Sequence, residues 1–95
     1  MWYLVEQYRP GASVDELRVA TAHLADAVAA LAAGGRKLRF TGASYVSAEE
    51  SCFCRFESDF IDAVRTACEQ ARFPYDRILL TDDIDASAER SGRTP

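Results

Sequence analysis

Residues 51–57, Ser51-Cys52-Phe53-Cys54-Arg55-Phe56-Glu57, set two cysteines one residue apart among aromatic and charged side chains. A metal clip, a redox pair and a β-strand would each place this stretch in a different structure. In a strand, residues two apart project to one face, about 6.5–7 Å from each other at roughly 3.3 Å per residue. Two thiolates on one tetrahedral zinc approach to about 3.8 Å, and a disulfide asks for a Cβ separation near 3.8 Å as well. An extended Cys-x-Cys meets neither demand without a bulge. Free cysteine is also among the most buried residue types. The stretch is therefore expected to be a strand, with both thiols packed on one face.

The flanks agree with that reading. Before it, Ala48-Glu49-Glu50 is short and polar, the length of a hairpin loop. Lys37 to Ser47 alternates, with Leu38, Phe40, Gly42, Ser44 and Val46 expected on one face and Arg39, Thr41, Ala43, Tyr45 and Ser47 on the other. After it, Ser58 and Asp59 are expected to cap a helix whose stripe is Phe60, Val64, Ala67, Cys68 and Ala71. Pro74 lies past its end, and Arg77 to Thr81 reads as a last strand.

The N-terminal third repeats the unit. Trp2 to Tyr8 is rich in aromatic and apolar residues and stops at Pro10-Gly11, as a strand before a turn does. Ser13 and Glu16 form a capping box, with Ala12 stapled against Leu17. Leu17, Ala20, Leu24, Ala27, Val28 and Leu31 then recur at helical spacing until Gly34-Gly35. The order is β-α-β-β-α-β. It predicts a ferredoxin-like α+β fold over residues 1–85, a four-stranded antiparallel sheet in the order 4-1-3-2 with both helices on one face. Residues 86–95, acidic, small and turn-prone, are expected to be a flexible tail.

Composition sets limits on function. The chain has 95 residues, 48% of them hydrophobic, and a net charge of −4 from 11 basic and 15 acidic residues. That is one globular domain. Its sign opposes nucleic-acid binding, and the one basic cluster, Arg36, Lys37 and Arg39, reads as a strand end reaching water. The third strand also lacks the aromatic signature of an RNA-recognition domain. No apolar run approaches the roughly 18 residues of a membrane span. MWYLVEQYRP has no signal-peptide pattern, so a cytoplasmic location is expected. Three cysteines fit reduced thiols better than a disulfide framework. The first and last strands carry apolar residues on both faces, Trp2 and Leu4 against Tyr3 and Val5, Ile78 and Leu80 against Leu79. Two helices cover one face only, so a second copy of the chain is the simplest cover for the other.

Few residues offer chemistry. His23, the single histidine, lies off the centre of its helix stripe, with no His-x-x-x-His or Cys-x-x-Cys beside it. Glu6 shares a strand face with Trp2 and Leu4, where a carboxylate is costly to bury unless paired or functional. Arg39, Arg55 or the Tyr45 hydroxyl is its expected partner; alternatively Glu6 lies near the strand end and reaches water. Asp82, Asp83 and Asp85 read as a solvated strand exit rather than a hard-cation site.

Several pieces in fixed order carry a family resemblance: Tyr3-Leu4-Val5-Glu6, Pro10-Gly11, Glu16-Leu17, Ser44-Tyr45-Val46, Cys54 with Phe56-Glu57, Ala63-Val64 and Ile84-Asp85. Across residues 3–85 the chain resembles a family of small bacterial ferredoxin-like proteins classed as a domain of unknown function, whose characterised member is a homodimeric nickel-binding protein. The resemblance implies a homodimer and a nickel site, and no established reaction. The chain departs from the family at Ala43, where many relatives carry histidine. Nickel ligands would then come from His23, Cys52, Cys54 and Glu6. A second expectation is a small-molecule-binding protein, or a cyclase- or monooxygenase-like enzyme. Its pocket would lie between sheet and helices and be lined by Glu6, Tyr45 and Cys54, with Glu6 as base. A third is an interaction module with no site.

Overall fold

The computed structural model describes residues 1–84; the expected tail, residues 86–95, lies outside the described residues. The elements run β1 (Trp2–Tyr8), α1 (Val14–Ala33), β2 (Leu38–Val46), β3 (Ser51–Ser58), α2 (Ile61–Gln70) and β4 (Arg77–Thr81). They build one sheet in the order β2-β3-β1-β4, with every neighbouring pair antiparallel. This is the ferredoxin-like α+β arrangement expected. The quoted cysteine stretch is the central strand β3. Among the described residues no helix is long and apolar enough to cross a membrane.

Register decides which side chains meet. Val5 on β1 stands between Cys54 and Ile78, and Tyr3 stands between Phe56 and Leu80. These alternate positions point to the helices and bury Tyr3, Val5, Cys52, Cys54 and Phe56. Leu24 and Val28 from α1 and Val64, Ala67 and Cys68 from α2 close the core over them. Phe40 stacks on Phe56, with ring centroids 5.0 Å apart. Among the described residues no helix covers the other face of the sheet. That face carries Trp2, Leu4, Phe53 and Leu79, all half-buried, among charged neighbours.

The capping box is half formed. Ser13 Oγ accepts the Glu16 amide at 3.1 Å, while the Glu16 carboxylate turns instead toward Arg9, at 3.9 Å. At the other end Gly34 caps α1 and Gly35, at φ 96°, supplies the left-handed turn.

Two expectations fail for local reasons. Phe60 is not on the α2 stripe: it is the N-cap residue, extended and 73% exposed, so the helical period has not begun there. Ala63 takes its place in the core. Ser58 ends β3 and does not cap through Asp59; its hydroxyl donates to the Lys37 carbonyl at 2.9 Å and accepts the Phe60 amide at 3.3 Å.

The alternation of β2 also breaks. Phe40 pairs with Phe56 and Gly42 with Arg55, so Thr41 is an extra residue in the ladder. Such a bulge reverses the facing of everything after it. Leu38 and Phe40 share the helix-side face, but beyond the bulge Ala43 and Tyr45 do so, and Gly42, Ser44 and Val46, expected with Leu38 and Phe40, face the open side. Gly42 adopts φ 136°, a conformation that L side chains rarely take.

Candidate functional site

The residues expected to carry chemistry fall in separate places. Glu6 lies on the open face of β1, between Phe53 and Arg77. Its carboxylate pairs with the Arg77 guanidinium. None of the expected partners reaches it. The register sets Arg39 against Glu57, at 2.7 Å, and Arg55 beside Leu4, while the bulge carries Tyr45 to the opposite face. Glu6 therefore cannot act as base in a pocket beneath the helices. The Arg77 side chain, hydrogen-bonded to Glu6, holds its proton more firmly than usual.

His23 is exposed on α1, in a surface groove with Asp26, Gln70 and Arg72. Cys52 and Cys54 lie beneath the helices, 2% and 0% exposed. The four residues expected to hold nickel thus occupy three sites. Among the described residues no three or more His, Cys, Asp or Glu side chains come together as a metal site.

What the fold does assemble is a cleft between α1 and the β2–β3 hairpin, with a volume of about 220 Å³. From α1 come Val14, Leu17, Arg18 and Thr21, one helical face by their spacing. From the sheet come Ala43, Tyr45 and Cys52. Tyr45 and Cys52 are cross-strand partners, which places phenol and thiol side by side. The bulge makes this site: without it Ser44 and Val46 would point into the cleft and Tyr45 away from it.

Hydrogen bonds hold the walls in place. The Tyr45 hydroxyl donates to the Arg9 carbonyl at 3.3 Å. Arg9 is itself fixed, its amide donating to the Glu50 carbonyl at 2.7 Å, and the Glu50 carboxylate accepts the Gly11 amide at 2.8 Å. Thr21 turns its hydroxyl back to the Leu17 carbonyl at 2.8 Å. No buried side-chain nitrogen or oxygen among the described residues lacks a partner.

The thiols differ sharply in acidity. Hydrogen bonding from Cys54 pulls Cys52 down to about 7, and the positive charge of Arg9 adds to this; burial opposes both. Cys54 is the proton keeper of the pair, pushed far up by its bond to Cys52 and then by burial. Cys68, beneath α2, is pushed up to about 12 by burial and by Glu69. Cys52 is the one thiol poised to ionise near neutral pH, and it is the one that lines the cleft.

Sequence reading placed Tyr45 in such a pocket but not Cys52, and it missed Arg9, Arg18 and Thr21. Gly42 in mid-strand was the available signal, since an interior strand glycine marks a bulge. The α1 residues lie beside the main apolar stripe, where periodicity alone does not single them out.

Fold and site together define a ferredoxin-like α+β domain with a side cleft holding one acidic thiol. No family model matches the chain, and no curated protein does. Among solved structures the chain is similar to the crystal structure of SCO4226 from Streptomyces coelicolor A3(2), with a TM-score of 0.69 and 18% identity. The match covers 90% of this chain and 100% of that one. At that identity the likeness establishes the fold.

Proposed function

We propose that the protein binds a small, largely apolar molecule, the size of one substituted ring, in the cleft between α1 and the β2–β3 hairpin. The observation that carries this reading is the bulge at Thr41, which turns the exposed Ala43 and the half-buried Tyr45 to the helix side of the edge strand β2 and sets Tyr45 against Cys52. A cavity of roughly 150 Å³ is enough for benzene, so 220 Å³ admits a ring with a short substituent. Val14, Leu17 and Ala43 supply apolar contact, and Arg18 and Tyr45 supply polar ends. The protein is a binding domain in this reading, since among the described residues no carboxylate or imidazole lines the cleft to act as a base. Ligand-observed NMR with simple ring compounds, p-cresol and 4-phenyl-2-butanone among them, tests it. Binding should vanish in Ala43→Leu, which fills the cleft from a partly solvent-facing position. Equal binding to that variant and to the parent would sink the reading.

A nickel site is the second reading, resting on the resemblance and on the adjacent thiols of Cys52 and Cys54. Thiolate suits nickel, and Cys52 ionises at about 7. The described residues of one chain do not fit the ion well: with Glu6 and His23 elsewhere, no three ligating side chains come together among them, and the two thiols stand without a further ligand. Further ligands would come from a second chain of a homodimer. Calorimetry at pH 7.5 with nickel, zinc and copper, on protein without a histidine tag, decides it. No heat and no stabilisation with any of the three ends the metal reading.

A further inference from the structure

We propose that the cleft selects ring-bearing carboxylic acids whose ring carries a hydroxyl or N–H group, with the carboxylate held by Arg18 and the ring's donor by Tyr45 or Thr21. The inference rests on the cleft-binding reading above and names the class of ligand that the cleft takes.

The hydroxyl protons of the lining argue for the donor. A hydroxyl has one proton to give and two lone pairs to receive with. Tyr45 commits its proton to the Arg9 carbonyl at 3.3 Å. Thr21 shares its own between the carbonyls of Leu17, at 2.8 Å, and Arg18, at 3.2 Å. Each oxygen therefore meets a ligand as an acceptor. Both residues are half-buried, so a ligand that covers them without donating a proton takes water from those oxygens and returns nothing. A phenol or an indole-type N–H replaces that water; a halogen does not.

Charge argues for the carboxylate. The whole chain carries −4, yet Arg18 lines the cleft and, among the described residues, no carboxylate does. Among those residues Arg18 has one ion pair, with Asp15 at 3.9 Å on the preceding turn, and both side chains are largely exposed. Such a surface pair is weak. It leaves the planar fork of N–H donors open to a ligand carboxylate, which it can meet through two parallel bonds. Arg9, whose carbonyl anchors Tyr45, is engaged elsewhere, with Glu16 at 3.9 Å and with Gln7 Oε1 at 3.4 Å.

Depth orders the two ends. Leu17 and Cys52 are buried and form the floor, Tyr45 and Thr21 stand half-buried, and Val14 and Arg18 are exposed at the rim. A ring lying on Leu17 thus turns its donor to the walls and its carboxylate to the mouth, where the anion keeps part of its hydration. The volume of about 220 Å³ suits one ring with a short side chain, as in an arylacetic acid.

The test measures Kd on the full chain by ligand-observed NMR, at pH 7.5 and low salt, for 4-hydroxyphenylacetate, 4-fluorophenylacetate, p-cresol and tyramine. The hydroxy acid should bind about fivefold or more tighter than p-cresol, which lacks the carboxylate. It should bind about threefold tighter than the fluoro acid, which lacks the donor. Tyramine, with the charge reversed, should bind more weakly than p-cresol. High salt should narrow the ratio between hydroxy acid and p-cresol, as it does for an exposed ion pair. Arg18→Gln should bring those two within about twofold of each other, while Arg65→Gln, which removes the same charge from α2, should keep their ratio. Equal affinity for the hydroxy acid and p-cresol in the parent, or a ratio lost as fully in Arg65→Gln as in Arg18→Gln, overturns the proposal. So does a fluoro acid that binds as tightly as the hydroxy acid. In each of those cases p-cresol still binds and the cleft reading stands. If none of the four binds, or if Ala43→Leu leaves their binding unchanged, the cleft reading itself fails and this proposal goes with it.

Discussion

Cys54 and Cys68 hold their protons in a part of the core from which water is excluded, and this gives the fold a pH dependence. Cys68 ionises at about 12 in the folded chain against 9.0 when exposed. Between those values the unfolded chain releases its proton and the folded chain does not, so stability falls as pH rises from about 9 toward 12. Cys52 has the opposite sign. Lowered to about 7, it favours the folded state increasingly between 7 and 9 and loses that contribution as pH falls. Cys68→Ala is therefore expected to cost stability at pH 7 and to cost progressively less toward pH 10.5. Urea midpoints of parent and variant at three pH values check it; a constant difference would refute the assignment. Glu6 makes a contrasting case. It faces away from the cleft and pairs with Arg77, so Glu6→Gln should leave ring-compound binding unchanged, as ligand-observed NMR can measure. The shared face of Cys52 and Cys54 was legible in their spacing and their burial in the residue type, because an extended Cys-x-Cys makes no clip without a bulge and free cysteine is usually buried. The partner of Glu6 was not, because register, and not proximity in sequence, sets residue 77 beside residue 6.

At the scale of elements, α1 and the bulged β2 matter most. Ser13 satisfies the Glu16 amide at the start of a 20-residue helix, so Ser13→Ala should lower stability by about 1 kcal/mol in urea unfolding. Gly42 is more consequential. Its φ of 136° is strained for any residue with a Cβ, at a cost of about 1–3 kcal/mol. There is room for the added methyl, whose nearest atom is the Arg55 guanidinium at 3.8 Å, so the loss comes from the backbone. Gly42→Ala should lower the urea midpoint and, by unsettling the bulge, weaken ring binding in the cleft. An unchanged midpoint would mean that the bulge does not depend on glycine. The existence and type of all six elements were readable from pattern, since capping residues, stripe and alternation each leave a periodic trace. A bulge leaves almost none: one extra residue inside a strand changes no composition, only which way the rest of the strand faces.

For the whole molecule, the open face of the sheet is the unresolved surface in physical terms. Trp2, Leu4, Phe53 and Leu79 stand on it half-covered by their neighbours, with Arg39 above the Trp2 ring at 5.7 Å and the Glu6–Arg77 pair close by. Apolar area of this kind is stabilised by burial against a second copy. Sedimentation at micromolar concentration is expected to give about twice the 10.5 kDa chain mass, and Leu79→Lys should halve it by placing an ammonium at the contact. A monomeric parent chain would remove the argument from the open face.

The sequence by itself determined the order of elements, the ferredoxin-like topology and the burial of the Cys52-Phe53-Cys54 strand. Those follow from local periodicity, from caps such as Ser13 and Gly34-Gly35, and from the short connections that leave few topologies open. The tertiary structure alone decided where the chemistry lies. It sent Glu6 to one side of the sheet and Cys52 to the other, left His23 on an outer helix face, and brought Tyr45 under α1 through a single unpaired residue. A site is a coincidence of side chains from separate elements. Its making depends on register and facing, which are set by pairing across the sheet and not by any stretch of sequence read alone.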